Sequence, residues 1–147
     1  MNRVKIELPS EFPFVAAIRV RITDLNYGGH VGNDSFLSLL HEARQQFLNY
    51  LGYAELELEG KGLIMADAAI EFKSELNYRD EVIIAVAAGN FTKIGFDLFY
   101  RMEIKRPDGN LLAGKAKTGM LCYDYDLKKV VRLPENALHK LQAGKPH

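Results

Sequence analysis

A chain of 147 residues carries 19 Lys and Arg against 19 Asp and Glu, so its formal net charge is zero. That balance argues against a nucleic-acid or anionic-membrane protein, which would show a basic excess or patch. A hydrophobic content of 48% argues against a disordered chain, and the single cysteine, Cys122, excludes an internal disulfide framework and a cysteine-rich zinc site.

Residues 1–147 are expected to form one domain with a core of ordinary size. No apolar run approaches the roughly 18 residues of a spanning helix. The start mixes Lys5, Glu7, Pro9 and Glu11, which is not the basic-then-apolar pattern of a signal peptide. The expectation is a cytoplasmic protein with Cys122 reduced. Zero net charge also permits self-association.

The first strand is predicted over Val15 to Thr23, where Ile18, Val20 and Ile22 alternate with Arg19, Arg21 and Thr23. Continuing that alternation puts Asp24 and Asn26 on the core-facing side. Either the strand stops there or those polar groups look into a pocket. Tyr27-Gly28-Gly29-His30-Val31-Gly32-Asn33 follows, a glycine-rich segment able to take unusual backbone angles. Asn33 or Asp34 is expected to cap a helix running from about Ser35 to Leu51. Phe36, Leu40, Ala43, Phe47 and Leu51 share one helical face, with Gly52 as the stop. Arg44 falls inside the apolar arc and is expected to pack its stem and find a partner for its head.

Strands are predicted over Ile64 to Phe72, Val82 to Ala88, Phe96 to Ile104 and Leu111 to Tyr125. Turns are read at Asn77 to Asp80, Gly89-Asn90 and Pro107-Asp108-Gly109-Asn110. A short helix is expected over Pro134 to Ala143. One strand, one long amphipathic helix and four meander-like strands make an α+β layer pair, with a single antiparallel sheet of five or six strands wrapped around the helix.

The segment Asp24-Leu25-Asn26-Tyr27-Gly28-Gly29-His30-Val31, followed by Phe36 and by Glu42-Ala43-Arg44 on the helix, resembles the hotdog-fold acyl-CoA thioesterases. The branch is that of the 4-hydroxybenzoyl-CoA and tol-pal-associated thioesterases, whose motif runs Asp-x-Asp-x-x-Gly. The likeness continues through Ile70–Asp80 and Gly114–Asp124 to Arg132-Leu133-Pro134. It implies hydrolysis of an acyl-CoA or acyl-carrier-protein thioester without metal or redox cofactor, coenzyme A arriving only as part of the substrate. It also implies an active site between subunits of a homodimer or a dimer of dimers. In the family, helix-terminal N–H groups polarise the thioester carbonyl and stabilise the oxyanion, and the second Asp of the motif is nucleophile or base.

Here that second Asp is Asn26, and an amide takes up no proton. Asn26 would orient the carbonyl or the attacking water. Asp24 and His30 are the leading candidates for a displaced base, with Asp34 and Glu42 behind them. Plant acyl-carrier-protein thioesterases have a histidine in the place matching His30. Tyr27, Gly28, Gly29, Val31, Gly32, Asn33 and Asp34 would bind substrate. Each has a plainer reading. Asp24 can form a turn, Asn33 or Asp34 can cap, Glu42 can lie on a solvated face and Cys122 can fill the core. Lys115, Lys117, Lys128 and Lys129 can belong to an ordinary charged surface. A non-catalytic acyl-CoA or acyl-carrier-protein binding module is the rival function. A hotdog hydratase or dehydratase built on His30 and Glu42 is a third.

Overall fold

The computed structural model describes residues 2–146. Strand β1 covers Phe14–Arg19, helix α1 Asn33–Tyr50, and strands β2, β3, β4 and β5 cover Gly62–Phe72, Glu81–Gly89, Gly95–Ile104 and Leu111–Asp124. A two-residue strand β6, Lys129–Val130, and helix α2, Glu135–Ala143, complete the order. The strands form one antiparallel sheet in the order β1-β3-β4-β5-β2, with β6 beside β5. The expected α+β, helix-in-sheet hotdog architecture is present. The sheet has six strands, within the expected five or six, and β6 lies outside the five segments read as strands.

Helix α1 forms because its apolar residues recur at helical spacing. Phe36, Leu39, Leu40, Ala43, Phe47 and Leu48 are all buried. They meet Ile84, Leu98, Tyr100, Met102 and Met120, which project from alternate positions of β3, β4 and β5. The helix ends where Gly52 takes φ of 90°. Arg44 packs as expected, at 6% exposure. Its Nε donates to Glu55 Oε1 at 2.6 Å and its terminal nitrogen to the Tyr100 hydroxyl at 3.2 Å. The Tyr100 hydroxyl in turn meets Thr118 Oγ1 at 2.8 Å. This run of polar groups crosses the core from the sheet to the loop after α1. Cys122 is fully buried and burial pushes its thiol up, so it is a core residue rather than a nucleophile.

Two details of the sheet differ from the alternation read in sequence. Strand β1 stops at Arg19, and residues Ile22–Asp24 form a 3-10 turn instead of continuing it. Ile22 is consequently exposed while Asp24 is buried. The turn wins because Asp24 Oδ2 accepts the Arg21 backbone N–H at 2.8 Å, a local bond that a strand would forgo. Strand β2 carries a bulge. Met65 pairs with Met120 and Asp67 with Gly119, leaving Ala66 as the extra residue.

Gly95 shows how closely the strands approach. A Cβ there would stand 2.1 Å from the Met120 carbonyl oxygen and 3.2 Å from Leu121 Cα, both backbone atoms. Gly95→Ala is expected to cost about 2–3 kcal/mol through forced strand separation. Urea unfolding of the folded variant measures it, and a loss under about 0.5 kcal/mol, the range of a surface change, contradicts the argument.

Candidate functional site

The turn between β1 and α1 is organised by one side chain. Asn26 Oδ1 accepts the Gly28 N–H at 2.9 Å and the His30 N–H at 3.4 Å. Its backbone closes the loop, with Asn26 N donating to His30 O at 2.8 Å and Gly29 N donating to Asn26 O at 3.1 Å. Gly29 adopts φ of 82°, which a side chain would resist, and so permits the reversal. Tyr27 stands fully exposed at the tip. The carboxamide oxygen of Asn26 is therefore committed to the turn, and among the described residues Nδ2 has no hydrogen-bond partner. That nitrogen lies 3.7 Å from where a Cβ on Gly32 would be, at the mouth of α1.

The loop's own bonds decide which amides remain to bind a carbonyl. Gly28, Gly29 and His30 spend theirs on Asn26, and Val31 donates to Leu76 O at 3.0 Å. The N-cap of α1 is Gly32, without a side-chain cap, rather than Asn33 or Asp34. Asn33 and Asp34 occupy the first turn instead. Among the described residues, the N–H groups of Asn33, Asp34 and Ser35 reach no protein acceptor. Their partial positive charge sums with the helix dipole at one place. The amides left without an acceptor are thus those of Asn33–Ser35 rather than those of residues 28–31. A Cβ on Gly32 would stand 2.7 Å from Asp34 Oδ1, an exposed side-chain end that would have to turn away.

The base candidates sit in different settings. Asp24 is 4% exposed and its carboxylate is occupied by Arg21, through the backbone N–H at 2.8 Å and the guanidinium at 3.2 Å and 3.4 Å. The turn-forming role accounts for it fully. His30 is half-exposed, and its Nδ1 faces Asn77 Oδ1 at 3.1 Å and Glu75 Oε2 at 3.5 Å. The tautomer with its hydrogen on Nδ1 satisfies both oxygens and leaves Nε2 as the ring's acceptor. Asn77 also pairs with His30 through an isolated backbone bridge. Sequence reasoning missed Asn77 and Glu75 as partners of His30. They lie more than forty residues downstream in what reads as a turn, and no local spacing marks them. Glu42 accepts from Gln46 Nε2 at 2.8 Å and lines a separate groove between β1 and α1 with Ser38, His41 and Arg19. It does not join His30.

The turn is open. Asn26, Tyr27, Gly28 and Gly29 are all exposed, as are Phe72 and Tyr78 nearby in the sequence of β2 and its following loop. Among the described residues, strand β2 pairs only with β5, and its centre, Met65 to Ala68, is exposed. No helix is long and apolar enough to cross a membrane, and among the described residues no cluster of three or more His, Cys, Asp or Glu could hold a metal ion.

The family described as the thioesterase-like superfamily matches residues 20–141. Among solved structures, the chain is similar to a hypothetical protein from Aquifex aeolicus at 23% identity, with a TM-score of 0.78 over 88% of this chain and 99% of that one. It is similar to a 1,4-dihydroxy-2-naphthoyl-CoA thioesterase from Synechocystis at 20% identity, with a TM-score of 0.77 over 91% and 98%. A mutant 4-hydroxybenzoyl-CoA thioesterase bound to 4-hydroxybenzoyl-CoA matches at 15% identity, with a TM-score of 0.79 over 87% and 97%. No curated protein sequence matches.

Proposed function

The chain belongs to the thioesterase-like superfamily, and on that footing we propose that it hydrolyses acyl thioesters of coenzyme A. The observation that carries this reading is the pairing of three acceptor-less amides at the start of α1 with the free Nδ2 of Asn26. Donors fixed before the substrate arrives stabilise charge as it develops on the thioester oxygen. His30 serves as base. Its Nε2 takes a proton from the attacking water as the water oxygen bonds to the carbonyl carbon. When the carbon–sulfur bond breaks, the same proton goes to the departing thiolate. Asn77 and Glu75 hold the ring through Nδ1. No metal or redox cofactor enters this chemistry.

The exposed turn needs a wall, and a second copy supplies it in this reading. The unpaired edge of β2 is the surface for it, because two such edges across a two-fold satisfy each other's backbone groups. A homodimer is the minimum unit, with a dimer of dimers built on it. The setting is the cytoplasm, where the thioester substrates are soluble. Light scattering that reports a monomer at micromolar protein contradicts the assembly.

Asn26 in place of a carboxylate favours one rival, a module that binds an acyl thioester without cleaving it. Thiol release from aliphatic and aromatic acyl-CoAs separates the two. The parent protein is expected to release thiol, His30→Ala to lose about 10²-fold, the low end for a general base, and Asp24→Asn to change little. Binding without any thiol release selects the module.

A further inference from the structure

The amino-terminal arm plays no part in the reading above. Residues 2–13 form neither helix nor a strand of the sheet. They cross the face of the sheet turned away from α1, where Asp97 and Phe99 alternate with the core residues Phe96, Leu98 and Tyr100. Three contacts hold the arm. Pro13 packs against Gly144 after α2, where an added Cβ would stand 2.5 Å from the proline ring. Phe12 lies 4.8 Å from the Arg101 guanidinium of β4, a cation–π contact. At the far end, Ile6 N donates to Glu71 Oε2 at 2.6 Å, and the Ile6 side chain is buried.

Between those anchors the arm stands off the sheet. An open groove of about 730 Å³ lies beneath residues 4–9, floored by Ala69, Ala88, Phe99 and Lys117. Among the described residues, the Ile6–Glu71 bond is the arm's single hydrogen bond to the rest of the chain. A segment with so few bonds belongs to the low-stability end of a fold.

Glu71 is placed to transmit that attachment. It lies on β2, and the next residue, Phe72, points to the other face and meets Phe36 edge-on at 5.0 Å. Phe36 closes the first turn of α1 by donating to Gly32 O at 3.0 Å. Arm, edge strand and helix start are thus joined through Ile6, Glu71, Phe72 and Phe36. We propose that the arm is a strap, latched by Glu71, that sets the position of the β2 edge and through it the first turn of α1. Glu71 is a positioning residue. The effect on turnover rests on the thioesterase reading, while the effect on backbone motion does not.

The Glu71 carboxyl is held below the ordinary carboxylate range, first by the Ile6 amide and then by Lys73 just after β2 and Lys115 on β5. Lys5 and Glu7 flank Ile6 on the arm. The charged form is the stronger latch, because a carboxylate accepts the Ile6 N–H more strongly than a neutral carbonyl does. That added strength is fully present above the ordinary glutamate value and is lost as pH falls through the lowered one.

The experiment compares the full chain with a chain lacking residues 2–9, with Glu71→Ala and with Glu71→Gln, which keeps an oxygen acceptor. Amide hydrogen exchange, carboxyl titration by NMR and thiol release are the readouts. Ile6 exchange is expected to rise about tenfold in Glu71→Ala, equal to about 1.4 kcal/mol, and by less in Glu71→Gln, whose amide oxygen still accepts but carries no charge. Phe36 exchange should rise in both Glu71→Ala and the truncated chain, without adding when the two are combined. The Glu71 midpoint should climb when the arm is removed. Unchanged Phe36 exchange in both variants overturns the proposal, even if the arm itself loosens. Altered Phe36 exchange in a protein that cleaves no thioester keeps the strap and removes the thioesterase reading.

Discussion

Asn26→Ala is expected to lower thiol release by about 10²–10³-fold, the range for losing one preorganised donor to an oxyanion. Two losses combine. Nδ2 no longer faces the start of α1, and Oδ1 no longer gathers the Gly28 and His30 amides. Asn26→Asp separates them. Both bonds made by Oδ1 are accepted from N–H groups, so a carboxylate oxygen keeps the turn folded while the free donor becomes an acceptor. Hydrogen exchange at Gly28 should then match the parent in Asn26→Asp and rise in Asn26→Ala. Rates that fall together in both variants with the turn intact in Asn26→Asp assign the effect to Nδ2. A parent-like rate in Asn26→Ala refutes the role given to this residue.

The largest expected loss of stability comes from Arg44. Removing its guanidinium leaves Glu55 short of its closest partner and opens a polar gap beneath α1 beside Tyr100. Breaking a buried pair from one side costs about 3–5 kcal/mol. Glu55 keeps some exposure and a second neighbour in His41 Nε2 at 3.2 Å, which points to the lower end. Arg44→Ala is expected to lower the unfolding midpoint by about 6–12 °C at roughly 3 kcal/mol for a chain of this length. Arg44→Met combined with Glu55→Gln should recover part of it, because no charge is then left unpaired. A scanning calorimetry shift under about 2 °C for Arg44→Ala defeats the argument, since it would place the network outside the folding energetics.

Much of the architecture was legible because periodicity is a direct readout of burial. The spacing of Phe36, Leu40, Ala43 and Phe47 located α1 within two residues of its start and one of its end. The alternation of Phe96, Leu98, Tyr100 and Met102 gave β4 its core face. What escaped depends on single bonds that periodicity does not encode. Asp24 turned the chain by accepting the Arg21 amide, ending β1 at Arg19. Gly32, a residue with no side chain to announce it, became the cap. The bulge at Ala66 shifted the phase of β2 halfway along.

The candidate site was legible only in outline. The turn, its glycines and the helix start stand together as expected, but no local pattern encodes which amides remain free. That depends on bonds such as Val31 N to Leu76 O, set by the tertiary fold. The Asn77 contact that orients His30 is of the same kind. Nor does any pattern announce the arm. Its residues alternate weakly, and the contacts that place it, at Gly144, Arg101 and Glu71, lie far along the chain.

The bulge in β2 also bears on how this protein behaves in a concentrated solution. A long, straight, unpaired strand invites one molecule after another to add on, and growth of that kind ends in fibrils. Here the edge bends at Ala66, and beyond it Asp67 turns its carboxylate to Lys117 Nζ at 2.8 Å and the Gly119 amide at 3.0 Å. A crooked strand of this sort resists in-register stacking along its whole length and keeps only a short stretch open to a neighbour. Such an edge can terminate an assembly where a straight one would propagate it.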